Sequence, residues 1–320
     1  MTAPARQPHD ALFRAVFSQV EHAAGLLATL VPTAFAARVD WNTLAVQPGT
    51  YVDGRLLHRY SDLLFSVRTR GGAALLYLLV EHESEPDRWM ALRLHGYVHR
   101  IWEHWLREHG SATKLPAVLP IVVHHGAGGW TAAASLGELY DLDAEALEVL
   151  APHLPELRFL LDDLGRVPME ELEERPITDL GCLVLLFLQR VRVTPDLAAD
   201  VRRWMNMLLR VFRGRAGWWA LNLLGQYTHA VTDEVPESLL AVLEEGLGSE
   251  GREAFMTAAE KLIEQGRAEG RAEVLLQQVA ERFGAPNQAI TERVRAAPAE
   301  QVDRWVKRIL TASSLAELFD

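Results

Sequence analysis

The sequence predicts a mixed α/β sheet flanked by helices, followed by an all-helical C-terminal region. Three observations predict it. Apolar residues recur at helical spacing over 10–31, apolar runs of strand length lie between Asp62 and His124, and helical periodicity dominates from about Val167 onward. The same shifts divide the chain into an expected sheet-bearing domain at 1–166, a helical extension at 167–250 and a helical tail at 251–320.

The first helix is expected in "HDALFRAVFSQVEHAAGLLATLV", with Asp10 at the N-cap and Leu12, Phe13, Val16, Phe17, Val20, Ala24, Leu27 and Val31 on one face. Two apolar runs around Gly71-Gly72 then read as strands. A long helix follows from about Trp89 to Glu108, with Met90, Leu94, Val98, Ile101 and Trp105 as its core stripe. "AVLPIVVHHG" is a third buried strand ending in the Gly126–Gly129 turn, and "ELRFLLDDLG" reads as one more. The tail from Arg252 holds 10 basic and 11 acidic residues, so it is no basic arm; a helical support or assembly element fits it better. Within it "EQGRAEGRAEV" places Gly266 and Gly270 on one helical face, where a partner helix could approach.

Composition narrows the function classes. At 320 residues, 49% hydrophobic and 23% charged, the chain is an ordinary globular protein. A net charge of −11 argues against a generally basic nucleic-acid binder, so any phosphate contact needs a local patch or a metal. Only three lysines occur, Lys114, Lys261 and Lys307, leaving arginine to supply most of the positive charge. The single cysteine, Cys182, sits in an apolar helix and excludes an intramolecular disulfide. No signal peptide is visible, and no apolar run reaches the roughly 20 residues of a membrane span. The expectation is a soluble, cytoplasmic protein.

The pattern richest in chemistry is "RYSDLLFSVRTRGGAALLYLLVEHES". With Gly71-Gly72 as a two-residue hairpin loop, cross-strand partners have numbers summing to 143, so Leu64 faces Leu79 and Asp62 faces Glu81. Alternation puts Glu83 on that same face and turns His82 away. Opposed like charges destabilise a hairpin unless compensated, and a hard divalent cation is the obvious compensator. Mg²⁺, with Mn²⁺ as an alternative, would take oxygens from Asp62, Glu81 and the His82 backbone carbonyl, and Glu83 would assist the metal or the water. The bland reading also stands: "EHESEPD" as a solvated strand exit and Asp62 as a turn cap.

On the helix after these acids, Arg93, Tyr97, Arg100, His104 and Arg107 form a second stripe. It is either a phosphate-binding strip or a solvated face paired with nearby glutamates. His95, His99 and Glu103 share i,i+4 spacing, a weak zinc pattern that lacks the H-E-x-x-H form. His124 and His125 are adjacent on a strand, so they face opposite sides and do not chelate together. No phosphate loop, dinucleotide fingerprint or nucleophile elbow is present. Trp102, Trp105, Trp204, Trp218 and Trp219 are expected in the core.

Taken together, "HDALFRAVFS", "YSDLLFSV", "YLLVEHES", "RLHGYVHRIWEHW" and "LPIVVHHG" resemble the recombination-promoting nucleases, or YhgA-like transposases, of the PD-(D/E)XK nuclease superfamily. The resemblance covers most of the chain. It implies a restriction-endonuclease-like αβββαβ core in the first domain and a Mg²⁺-dependent endodeoxyribonuclease linked to recombination or mobile elements, with DNA as partner. Asp62 and Glu81 match the metal-binding acids, and Asp10 matches the family's "HD" start as an acid that reaches the site from the first helix. Arg93, Tyr97 and Arg100 are then the candidate DNA contacts, and the C-terminal helices a candidate homo-oligomer contact. Glu83 departs from the pattern, because the family usually carries glutamine there and the superfamily lysine. This leaves a catalytically weakened protein that binds DNA or a protein partner as the alternative reading; Lys114 or Arg93 would have to supply the missing positive charge. His124 stands where the family often has tyrosine.

Overall fold

The computed structural model describes residues 8–47, 63–70, 72–83, 85–232, 235–284, 286, 288–297, 299–309, 312 and 315–319. Over 72–83, 258–272 and a few helical positions beyond 288 it describes backbone alone. The chain forms two compact units, Met1–Arg252 and Glu253–Asp320.

In the first unit the N-terminal apolar pattern folds as two helices, α1 (Pro8–Phe17) and α2 (Val20–Leu30), not one. Gln19 separates them with extended backbone, φ −89° and ψ 124°. The break lets both helices turn their apolar faces to the same place. Phe13, Phe17, Ala23, Leu26 and Leu27 line one small internal pocket together with Leu63 and Phe65. Helix α1 already begins at Pro8, where a missing N–H costs nothing. Asp10 therefore lies inside the first turn instead of capping it. A short helix, α3 (Thr33–Ala36), leads into the sheet.

Five strands lie in sequential order: β1 (Val39–Val46), β2 (Leu63–Thr69), β3 (Gly72–Glu83), β4 (Ala117–His124) and β5 (Leu160–Asp163). The first three run antiparallel, and β3–β4 and β4–β5 run parallel. A parallel neighbour requires a crossover, which α4 (Met90–Glu108) provides between β3 and β4. The order is thus helix, three strands, helix, strand. Strand β1 is absent from the residue-by-residue expectation, which has two strands before the helix, although the core implied by the resemblance has three. Its run "VDWNTLAV" buries only two of eight residues, and a register shift between Asp40 and Ala45 interrupts its pairing, so it carries little alternation to detect.

The β2–β3 register agrees with the expected sum of 143 from Leu63–Val80 through Arg68–Leu75. The turn differs. A shift at Arg68/Thr69 pairs Thr69 with Gly72, so Gly72 already belongs to β3 and the turn starts at Arg70. One face of the sheet packs under α4, where Met90, Ala91, Leu94, Tyr97 and Ile101 meet Leu64, Val122, Trp130, Leu136 and Phe159.

Beyond the sheet come α5 (Ala144–Leu150), α6 (Met169–Glu173), α7 (Asp179–Arg190), α8 (Leu197–Arg203), α9 (Met205–Phe212) and α10 (Gly217–Val231). Helix α7 is buried continuously from Leu180 to Leu188, so it behaves as a central core helix. Its Cys182 donates to the Leu172 carbonyl at 3.1 Å, and burial, with Glu173 and Asp179 nearby, pushes the thiol pKa up to about 12. α1 packs on α7 and α10 in this same unit. Trp204 is buried as expected, but Trp218 and Trp219 are 46% and 39% exposed. They occupy the first turn of α10, where one apolar face cannot take both of two adjacent residues.

The helical element α11 (Glu237–Phe283) is interrupted at Gly248, whose φ of 78° and ψ of 179° are open only to glycine. Within the second unit, α12 (Gln288–Ala296), α13 (Ala299–Arg308) and α14 (Leu315–Phe319) build their own core with α11. Leu275, Val279, Val294, Val302, Trp305 and Leu318 are its centre. Arg293 lies over the Trp305 and Phe319 rings and donates to the Phe319 carbonyl. The side chains around Gly266 and Gly270 lie outside the described residues. No described helix is long and apolar enough to cross a membrane.

Candidate functional site at the strand ends

The C-terminal ends of β3, β4 and β5 lie side by side. Glu81 pairs with Val122, His82 with Val123 and Glu83 with His124; Val123 pairs in turn with Asp162, and His124 with Asp163. One row across three strands therefore reads Glu83, His124, Asp163.

Successive strand residues point to opposite faces, and the two acids ending β5 show the consequence. Asp162 is buried and takes a bidentate pair from Arg175, both bonds at 2.7 Å. Asp163, on the α4 side, accepts from His124 Nδ1 at 2.9 Å and from the Trp130 backbone N–H at 2.6 Å. Arg166 Nε stands 3.3 Å from its second oxygen. A carboxylate can only accept, so Nδ1 carries the proton and Nε2 of a neutral His124 presents a lone pair. His124 is fully buried, its ring meets Trp130 edge-on at 5.4 Å, and Nε2 has no hydrogen-bond partner among the described residues.

The neighbouring His125 turns elsewhere. Its Nδ1 lies 3.2 Å from the Leu188 carbonyl and its ring lies 4.6 Å from that of His9, tilted by 48°; His9 in turn bonds Tyr227 Oη at 3.0 Å. Burial raises the Tyr227 pKa. The two histidines thus serve different environments.

Backbone fit holds the Asp163 end in place. Gly129 adopts φ 68°, and a Cβ on Gly165 would come 2.2 Å from the Gly126 carbonyl oxygen. The loops 126–130 and 164–167 therefore close on each other, and Arg166 donates to the Trp130 carbonyl across them. Gln189 of α7 donates to the Leu164 and Val167 carbonyls from behind.

Of the expected site residues, Asp62 lies outside the described residues, and Glu81, His82 and Glu83 are described by backbone position only. Asp10 occupies the first turn of α1. Arg93 donates to Asp87 at 2.7 Å and is largely buried. Tyr97 is 1% exposed and belongs to the core under α4, so it leaves the exposed strip; Arg100 is partly exposed and Arg107 exposed. His99 and Glu103 form an exposed i,i+4 pair at 3.6 Å, the solvated arrangement. Among the described residues, no three His, Cys, Asp or Glu side chains gather as a metal set. Asp163 escaped the sequence reading. The doublet "LLDD" at a strand end was its one signal, since alternation sends one of two adjacent acids to each face.

Residues 7–217 match the family described as "Putative transposase, YhgA-like". Among similar proteins of known name is the recombination-promoting nuclease RpnC of Escherichia coli K12, 33% identical over 39% of this chain and 41% of that protein. RpnD of Escherichia coli O157:H7, also named a recombination-promoting nuclease, is 31% identical over 52% of this chain and 62% of that protein. The chain thus spans about two fifths and three fifths of these two relatives. The inactive recombination-promoting nuclease-like protein RpnE of Escherichia coli K12 is 28% identical over 85% of this chain and 86% of its own. No solved structure matches the chain.

Proposed function

Because the chain belongs to the YhgA-like transposase family, we propose that it is a divalent-metal-dependent endodeoxyribonuclease with a restriction-endonuclease-like core, acting in DNA recombination or on mobile elements. The observation that carries this reading is the β2–β3 register. It keeps the sum of 143 from Leu63–Val80 to Arg68–Leu75, the same sum on which the sequence expects Asp62 to face Glu81. The element order helix, three strands, helix, strand supports the same reading.

The donors suit a hard cation: carboxylates of Asp62 and Glu81 and the His82 carbonyl are oxygen ligands of the kind Mg²⁺ or Mn²⁺ takes. In the strand beside Glu83, His124 Nε2 is buried and has no hydrogen-bond partner among the described residues, which leaves a lone pair free to accept a cation. A bound cation would lower the pKa of a water and stabilise charge developing on the phosphodiester. Glu83 would orient the water and accept its proton as it attacks phosphorus in line; the P–O bond to the leaving oxygen breaks and that oxygen takes up a proton from solvent. Asp10, in the first turn of α1, is the first-helix acid that the family resemblance assigns to the site. Arg100 holds a strand phosphate, and Arg93, tethered by Asp87, and Tyr97, set in the core, fix the wall beneath the substrate.

The test is nicking of supercoiled plasmid with Mg²⁺, with Mn²⁺ and with chelator. Metal-dependent nicking lost in Asp62→Ala and Glu81→Gln supports the reading; nicking unchanged in both removes these acids from the reaction. The second reading, a weakened nuclease that binds DNA or a protein partner, is favoured by Glu83 and by the likeness to RpnE, named inactive, over most of both chains. DNA affinity without cleavage by any metal identifies it.

A further inference from the structure

We propose that His124 Nε2 is a nitrogen ligand of the cation at the end of β3, and that it tilts the site toward Mn²⁺ over Mg²⁺. The inference rests on the proposed metal site and adds a ligand from β4 that the two acids do not supply.

Three observations support it. His124 is the β4 partner of Glu83 in the parallel register, so its Cα stands one strand from the acid-bearing end. Its ring is held from the far side: Nδ1 donates to Asp163 on β5, and Asp163 is itself fixed by the Trp130 N–H and Arg166. The two ring nitrogens of an imidazole point in divergent directions, so binding Nδ1 to Asp163 on β5 leaves Nε2 facing away from that carboxylate. That nitrogen is fully buried and has no hydrogen-bond partner among the described residues, which is unusual for a buried polar atom.

A histidine whose second nitrogen is locked by a carboxylate is the arrangement that metal-binding histidines adopt, because the carboxylate fixes the tautomer and raises ligand basicity. Imidazole is a softer donor than oxygen. Mg²⁺ takes oxygen almost exclusively, whereas Mn²⁺ lies above it in tolerance for nitrogen. A site completed by His124 therefore separates the two ions where a purely oxygen site would not.

The experiment uses the full chain and titrates Mn²⁺ or Mg²⁺ calorimetrically, with pulsed electron paramagnetic resonance on the Mn²⁺ form to detect directly bound nitrogen. Wild type is expected to bind Mn²⁺ more tightly than Mg²⁺ and to show nitrogen coupling. His124→Gln should abolish the coupling and weaken Mn²⁺ about tenfold with little change for Mg²⁺, and Asp163→Asn should weaken Mn²⁺ by a similar factor because the carboxylate no longer holds the His124 ring and its tautomer. Circular dichroism checks that both variants fold; if His124→Gln does not, Asp163→Asn and the wild-type spectrum carry the test. Absent coupling in wild type, or coupling that survives His124→Gln, overturns the proposal. Metal binding that is abolished by Glu81→Gln but lacks nitrogen coupling leaves the nuclease reading standing and removes this one alone. Binding of neither ion removes both.

Discussion

Asp162 and Arg175 offer the sharpest test of how the fold is held. Both side chains are nearly excluded from water, 3% and 10% exposed, and two parallel bonds of 2.7 Å join them. Replacing Asp162 by Leu strands a buried guanidinium, which costs about 3–5 kcal/mol in such settings. Arg175 also lines an open pocket with Thr29, Leu30 and Glu174, so water can reach a stranded charge. That places the expected loss at the lower end, about 3 kcal/mol, or roughly 6–12 °C in Tm for a unit of this size. Replacing both partners, Asp162→Leu with Arg175→Met, removes charge and countercharge together and should recover most of the loss. Urea unfolding followed by tryptophan fluorescence is the assay. Eight of the nine tryptophans precede residue 253, so the signal reports the larger unit. A single variant within about 1 kcal/mol of wild type, or a double variant as unstable as the summed singles, would refute the coupling.

Gly165→Ala should cost about 2–3 kcal/mol because its Cβ would strike the Gly126 carbonyl and backbone cannot yield as a side chain can, whereas Gly128→Ala, which meets nothing, should stay within about 0.5 kcal/mol; urea midpoints decide. Stability should also fall in acid through His22, whose Nδ1 lies 2.7 Å from Thr178 Oγ1, the N-cap of α7. Burial lowers the His22 pKa, partly opposed by Glu21, so its contribution is whole above the unfolded value of 6.5 and is lost as pH falls through the lower folded value. His22→Gln should flatten the change in urea midpoint between pH 7 and pH 5, and an unchanged slope in that variant would exclude His22 as its source.

Much of the fold is legible residue by residue. The β2–β3 register over Leu63–Arg68 is legible from period-two alternation about the glycine pair even though the turn itself is shifted, and the α4 core stripe from 3.6 periodicity, because both depend on neighbours close in sequence. What escaped depends on distant partners. Strand β1 is held by pairing with β2 more than by its own apolar pattern, and the break at Gln19 exists because α1 and α2 must both reach the same face. Tyr97 looks like a surface residue beside its arginines until the sheet rises to cover it.

The candidate site divides the same way. Local sequence alone determined that acids stand at the end of one apolar strand and that adjacent residues in "HH" and "DD" must part to opposite faces, since alternation is a property of the single chain. Only the tertiary structure decided which strand lies beside which. Parallel pairing across α4 brings His124 from β4 next to the end of β3 and Asp163 from β5 behind it, residues that sequence separation hides because the crossover joining them is long.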